Sequence, residues 1–468
     1  MELKHLFQSL SIAMLFLLTS SGCEEKNPDY FTSGFKAMEV TDQSVLIWTR
    51  LYEQEKPNPI THERKPDVFR HPIDFDEEMP VNQMDGDVQG KEGEVKITLK
   101  SDDQELSSPW IMATKESDFT VSHVFDELKS GTIYTVILES KNSEATEKGT
   151  FSTAPSPGDI IPITLTTSTC QYFWSYDDSL RGFKIYDQMS QLNPDFFVQT
   201  GDYVYYDKPG PQSKDLESAR HKWHAMDSWA SLVDFHEKVP MYMIKDDHDL
   251  LKDDISDPTE SYGDLTYEEA LKLWYENVPL REKPYRTFRW GKDLQVWLLE
   301  GREFRSNNMD EDGPDKTILG STQKDWLIQT LKSSDASFKI LFSATPIVGP
   351  DRDKKSDNHA NKVFQTEGDW IRSLISSIDN LYVVNGDRHW QYHSIDSVTQ
   401  VNEFGSGPVS DAHAQGWNQN DKRPQHQFLR VAGGFLSVQV FRKENTPQIV
   451  FTHYDVEGKE VYSKSFSM

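Results

Sequence analysis

Two hydrophobic rhythms divide the chain. Between Gly34 and about Pro155 the apolar residues come in short β-branched or aromatic bursts: Ser44–Arg50, Val95–Leu99 and Tyr134–Leu138, with Gly131 marking a turn before the last. Such a series predicts a small β-sandwich over residues 34–155. Inside it, Glu53 to Gly93 is rich in proline and acid and has no apolar period, which predicts a surface loop. From about Asp159 to Met468 the rhythm changes. Solid apolar runs predict buried strands at Ile161–Leu165, Phe196–Val198, Met241–Ile244, Leu294–Leu299, Phe338–Phe342 and Leu381–Val384. Helical patterns lie between several of them. Leu180, Phe183, Tyr186 and Met189 share one helical spacing. Thr266 and Glu269 form a capping box before Ala270, Leu271 and Trp274, and Ser321 is placed to cap a helix carrying Trp326, Leu327 and Leu331. Strand-like pieces at Gly434–Phe441, Gln448–Thr452 and Val461–Phe466 close the chain. Interleaved helices and strands followed by a β-rich end imply an α/β fold with mixed sheets.

The N-terminus obeys neither rhythm. Lys4 and His5 precede the apolar run Leu10–Leu18, and small residues then lead to Cys23. This is the layout of a signal peptide, too short to span a membrane, with Cys23 as the candidate lipidated residue. Ser20 stands three places before the cysteine where leucine is usual. The expected layout is a leader over 1–23, a polar tether over 24–33, the sandwich, and an α/β domain from 159. The implied location is exported and membrane-anchored, periplasmic or at the cell surface. With 468 residues, two domains are expected in any case. Charge narrows the partners: 49 Lys and Arg against 76 Asp and Glu give −27, a field that repels polyanions, so no nucleic-acid partner is expected. No obligate protein partner is predicted. There are two cysteines, so a lipidated Cys23 leaves Cys170 without a disulfide partner, either a small buried hydrophobe or a bound thiol.

Candidate chemistry follows the strands. After the first comes Ser168-Thr169-Cys170-Gln171; after the second, Gly201-Asp202-Tyr203-Val204-Tyr205; after the third, Lys245-Asp246-Asp247-His248-Asp249; after a late one, Asn385-Gly386-Asp387-Arg388-His389-Trp390. Ligands of α/β proteins gather beyond the C-terminal ends of strands. Any one of these motifs reads equally as a turn or helix cap. Together they bring thiol, carboxylate, phenol and imidazole groups to four strand ends, and clustered anions of that kind favour bound cations.

These residues resemble the calcineurin-like metallophosphoesterases and, within them, the alkaline phosphatase D (PhoD-like) group. Gly201-Asp202-x-x-Tyr205, Asp247-His248-Asp249 and Gly386-Asp387-Arg388-His389 fit three of its motifs, and Cys170 stands where the group uses a thiolate. Ser33-Gly34 through Arg50 resembles the start of the group's fibronectin-like domain, and Tyr285–Gly291 with Leu319–Leu327 resembles its interior. The resemblance implies hydrolysis of small phosphate esters by a hydroxide generated on two metals bridged by Asp202. Cys170, Tyr205 and His389 would complete a site suited to Fe³⁺. Asp247 and Asp387 would complete one suited to Ca²⁺, or Mn²⁺ or Mg²⁺. His248 would protonate the leaving group, and Arg302 and Arg388 would hold phosphate oxygens. Arg302 has the alternative of a structural ion pair, and Asp246 is expected just behind the ligands. The chain departs from the group at Lys245, where an aromatic is usual, at Arg388, and at Leu299-Glu300-Gly301-Arg302. Rival readings are a phosphodiesterase with the same core and a non-catalytic lipid-anchored binding protein.

Overall fold

The computed structural model describes residues 28–65, 73–141 and 143–468. The leader and Cys23 lie outside the described residues. Two large mixed sheets face each other. The nine-stranded one contains the adjacent parallel strands Ile163–Ser168, Phe196–Thr200 and Met241–Ile244. The seven-stranded one contains Leu294–Leu298, Phe338–Ser343 and Leu381–Asn385, also adjacent and parallel. The period of two decides which side chain goes where. Phe196 and Val198 point into the core between the sheets, together with Leu294, Val296, Leu298, Ile340 and Val384. Phe197, Met241 and Met243 point the other way, under helices that supply Tyr186, Trp223, Phe235 and Trp274. Trp297, Leu341 and Val383 likewise meet Leu327, Leu331, Ile371 and Ile375 on the outer face of the second sheet. Both faces of each sheet are thus covered, which is why its strands read as unbroken apolar runs. Among the described residues no helix is long and apolar enough to cross a membrane.

The N-terminal region forms its sandwich by borrowing. Phe35–Met38, Val45–Arg50 and Thr120–Phe125 extend the nine-stranded sheet, joined through the parallel pair Met38 and Met241. The strands Gly93–Lys100, Ile133–Ser140 and Thr146–Ser152, with two short companions, make a separate five-stranded sheet packed on that extension. The boundary expected near residues 155–159 therefore does not separate two cores: one apolar cluster runs through both regions. Buried ties reinforce it, Lys36 Nζ lying 2.6 Å from Asp227 and Trp48 Nε1 donating to the Glu276 carbonyl at 2.9 Å. The expected tether is also packed as far as it is described. Asp29, Phe31 and Ser33 are buried, and Tyr30 bridges to Tyr52.

Local details correct the helix reading. The first helix runs Lys184–Gln191, so Leu180 falls outside it and is exposed. The Thr266–Glu269 capping box is present at the start of Tyr267–Asn277. Ser321 is not a cap, because the helix already begins at Gly320, whose N–H donates to Thr317 Oγ1. Three further helices, Leu216–Asp227, Ala230–His236 and Gln365–Ser376, lie outside the helical patterns read from the sequence, although Trp370, Ile371, Leu374 and Ile375 recur at helical spacing in the last. The 53–93 insertion is anchored rather than loose where it is described. Asp85 accepts from the Thr61 and His62 N–H groups, and Arg64 Nη1 donates to the Tyr176 carbonyl.

Candidate metal centre

Parallel alignment brings the C-terminal ends of Ile163–Ser168, Phe196–Thr200 and Met241–Ile244 to one edge, and Leu381–Asn385 delivers the fourth loop from the facing sheet. The loops lock together through their backbones. The Cys170 N–H donates to the Gly201 carbonyl (3.2 Å), the Gln171 N–H to the Asp202 carbonyl (2.9 Å), and the Asp387 N–H to Thr169 Oγ1 (3.3 Å). Gly386 fits because it lacks a side chain: a Cβ there would sit 2.2 Å from the Thr200 carbonyl oxygen. Cys170, Asp202 and Asp387 all have left-handed backbones, with φ of 54°, 58° and 61°. Such conformations cost roughly 1–3 kcal/mol each and persist where surrounding structure enforces them, characteristically at functional sites. Here Asp249 does part of the enforcing. Its carboxylate accepts the N–H groups of Asp202, Tyr203, Val204 and Asp246 at 2.7–3.0 Å.

The side chains converge. The Cys170 thiol lies 3.3 Å from Asp202 Oδ2, and the Tyr205 hydroxyl donates to the same oxygen at 3.0 Å. Donor atoms of Cys170, Asp202 and His389 fall within 4.8 Å of one another, as do those of Asp202, Asp247 and His248, and of Asp202, Asp246 and Asp387. All six proposed ligands are therefore brought together. Asp246 joins them rather than standing behind them. Its Oδ1 is held by Arg302, while its Oδ2, like Asp202 Oδ1, is buried and has no hydrogen-bond partner.

Such a cluster is electrostatically unstable by itself. Burial, reinforced by Asp202 and Asp387, pushes the Cys170 thiol well up, and burial with the Asp202 charge does the same to Tyr205. Burial, with Asp247, Asp249 and Asp387, lifts Asp202 far above the carboxylate range. Bound cations reverse all of these shifts at once. The donor set and the two unpaired oxygens fit that role.

The sequence places this arrangement within a family. A sequence model of the PhoD-like phosphatases matches residues 165–433, more than half of the chain and all four strand-end loops. This chain belongs to the PhoD-like phosphatase family. It is thus a phosphoric ester hydrolase. Over 476 aligned residues it is 24% identical to alkaline phosphatase D of Bacillus subtilis (strain 168), covering 88% of this chain and 75% of that protein. Its fold matches a solved PhoD structure with a TM-score of 0.71 and 19% identity, over 94% of this chain and 90% of the other. It also matches the purple acid phosphatase PPD1 of yellow lupin, with a TM-score of 0.62 and 11% identity, over 94% and 74%.

Within this PhoD-like fold the remaining expected residues find their places. His248 Nδ1 lies 2.7 Å from Asp207 Oδ1, and its Nε2 is 3.8 Å from the exposed Asp253. Both arginines, Arg302 and Arg388, are ion-paired. Both side chains are buried among carboxylates, with Arg302 Nη2 and Arg388 Nε and Nη1 left without a hydrogen-bond partner. Arg302 bonds Asp246 through Nε (2.6 Å) and the Ile255 carbonyl through Nη1. Arg388 lies 3.0 Å from Asp351 and pairs with Asp387. Ion pairing with the acids holds each guanidinium in place, and the nitrogens without partners are the ones free for a further acceptor.

Several residues escaped the sequence reading. His413 Nε2 lies 3.0 Å from the Tyr205 hydroxyl and its ring is 4.2 Å from that of His389. Asp207, Asp351 and Asp357 have no motif of their own. One sequence signal was available. Lys245 and Glu300, both departures from the family pattern, are partners: Lys245 Nζ lies 2.7 Å from Glu300 and 4.3 Å above the Trp274 ring, fully buried. The paired departures bear on packing behind the site, not on its ligands.

Proposed function

We propose that the chain is an exported phosphatase that hydrolyses small phosphate esters at a centre of two cations bridged by Asp202. The observation that carries this reading is the convergence of thiol, phenol, imidazole and carboxylates around Asp202, with Asp202 Oδ1 and Asp246 Oδ2 left unpaired. Cys170, Tyr205 and His389 would hold one cation with Asp202, a donor set suited to ferric iron. Asp247, Asp387 and, by its position, Asp246 would hold the other, an all-oxygen set suited to Ca²⁺, Mn²⁺ or Mg²⁺. Two such ions supply positive charge for the phosphoryl oxygens and lower the pKa of the attacking water.

The chain's own residues do the rest. Asp207, 2.7 Å from Nδ1, orients His248 so that Nε2 can pass a proton to the departing ester oxygen. Arg302 and Arg388 offset the charge of the buried carboxylates and hold Asp246 and Asp387 in position. Export and anchoring through Cys23 rest on the basic start, the apolar Leu10–Leu18 run and the small residues before the cysteine. The central experiment combines elemental analysis with hydrolysis of p-nitrophenyl phosphate by wild type and Asp202→Ala. The variant is expected to lose both metal and nearly all activity. Activity retained without the Asp202 carboxylate would remove the bridging assignment.

A further inference from the structure

Asp247, Asp254 and Asp357 form a further group, sharing Asp247 with the ligand sets above, with oxygens within 4.8 Å of one another. They come from two loops: Asp247 and Asp254 follow the strand Met241–Ile244, and Asp357 follows Phe338–Ser343. The Asp357 side chain is completely buried, and its Oδ2 has no hydrogen-bond partner. Three carboxylates at this spacing are the oxygen-only environment that hard divalent cations take. The protein places a cation of its own there. Lys355 Nζ pairs with Asp254, lies 3.4 Å from Asp253 and 4.0 Å from Asp357, and the side chain is only 12% exposed. Arg302 approaches from within, its guanidinium 3.9 Å from Asp247 and 3.7 Å from Asp357.

We infer that Lys355 is a built-in cation that closes the Asp247–Asp254–Asp357 group to a divalent ion, which would be a third cation beside the proposed two. The inference rests on the proposed two-cation centre. Its consequence is that Asp247, shared between this group and that centre, keeps its counter-charge whatever the calcium concentration outside. A lysine charge cannot be washed away or exchanged, whereas an ion held by three carboxylates can.

Equilibrium dialysis against Ca²⁺, followed by elemental analysis, tests this on the full chain. Lys355→Met is expected to take up one more equivalent of Ca²⁺ than wild type. Lys355→Arg, which keeps the charge, is expected to match wild type. Adding Asp254→Asn to Lys355→Met should abolish the extra equivalent. Equal Ca²⁺ counts in wild type and Lys355→Met would overturn the inference. So would a third cation in wild type, a measurement that needs no variant to fold. A wild type that binds no metal would instead remove the two-cation reading, so the two failures are distinguishable.

Discussion

At the scale of single residues the site is built from buried polar pairs, and in the function proposed above one member of a pair acts while the other holds it. Asp207 and His248 are the clearest case. The 2.7 Å contact fixes the ring, and the acid's charge favours the protonated imidazole, so that His248 can act on the leaving group. We predict that Asp207→Asn lowers kcat by about a hundredfold, the lower end of what general-acid assistance contributes, with KM and metal content little changed. A series of aryl phosphates checks this. The loss should grow as the leaving phenol becomes more basic, because a poor leaving group needs the proton most. An equal loss across the series would mean that Asp207 is only structural. Tyr205 and His413, and Lys245 and Glu300, are likewise buried polar pairs whose members lie far apart along the chain, the second of them behind the site.

At the scale of elements, loops are pinned to helices by buried acids. Glu367, in the first turn of Gln365–Ser376, accepts from the Ile318 N–H and the Thr317 hydroxyl, and lies 3.1 Å from His359 Nε2. Burial alone would raise its pKa. The hydrogen bond and charge of His359, with the bonds from Ile318 and Thr317, outweigh burial and bring it down to about 2. The sign follows directly. A carboxyl whose folded pKa is depressed contributes stability above its unfolded pKa and loses it as pH falls toward the folded value. Glu367→Gln should therefore cost about 3 kcal/mol at neutral pH. That gap should close between about pH 4.5 and pH 2, as urea titrations at a series of pH values would measure. A gap independent of pH would mean that shape rather than charge is what the loop reads.

At the scale of the whole molecule, the N-terminal strands are part of the catalytic scaffold. Phe35–Met38 sits on the open edge of Met241–Ile244, the strand that carries Asp246 and Asp247, and so shields it. The −27 charge keeps the surface solvated and repels polyanions, consistent with small esters as substrates. The packed fold begins by Asp29. A lipid on Cys23 would therefore tether the body through a stretch of at most ~20 Å. If that anchor exists, Cys23→Ser should move the protein from the membrane fraction of expressing cells to the soluble one. Unchanged fractionation would remove the lipoprotein proposal.

The chemistry of the centre was legible in the sequence because it is local. Gly201-Asp202-x-x-Tyr205 and Gly386-Asp387-x-His389 place candidate ligands beside glycines at the ends of apolar runs, and the ligand type does not depend on distant residues. The runs themselves were legible because strands covered on both faces are apolar throughout. What only the tertiary structure decided is long-range pairing. Asp246 comes within reach of Asp202 and Asp387, Arg302 and Arg388 pair with acids, Asp207 meets His248, and Lys355 lies among Asp253, Asp254 and Asp357. The same holds for the strands, since Met38 joins Met241 across more than 200 residues. A one-dimensional pattern records whether a side chain is apolar, charged or able to bind a metal. Which opposite charge or open strand edge it meets is a property of the folded chain alone, and here that meeting decides which acids stay free for cations.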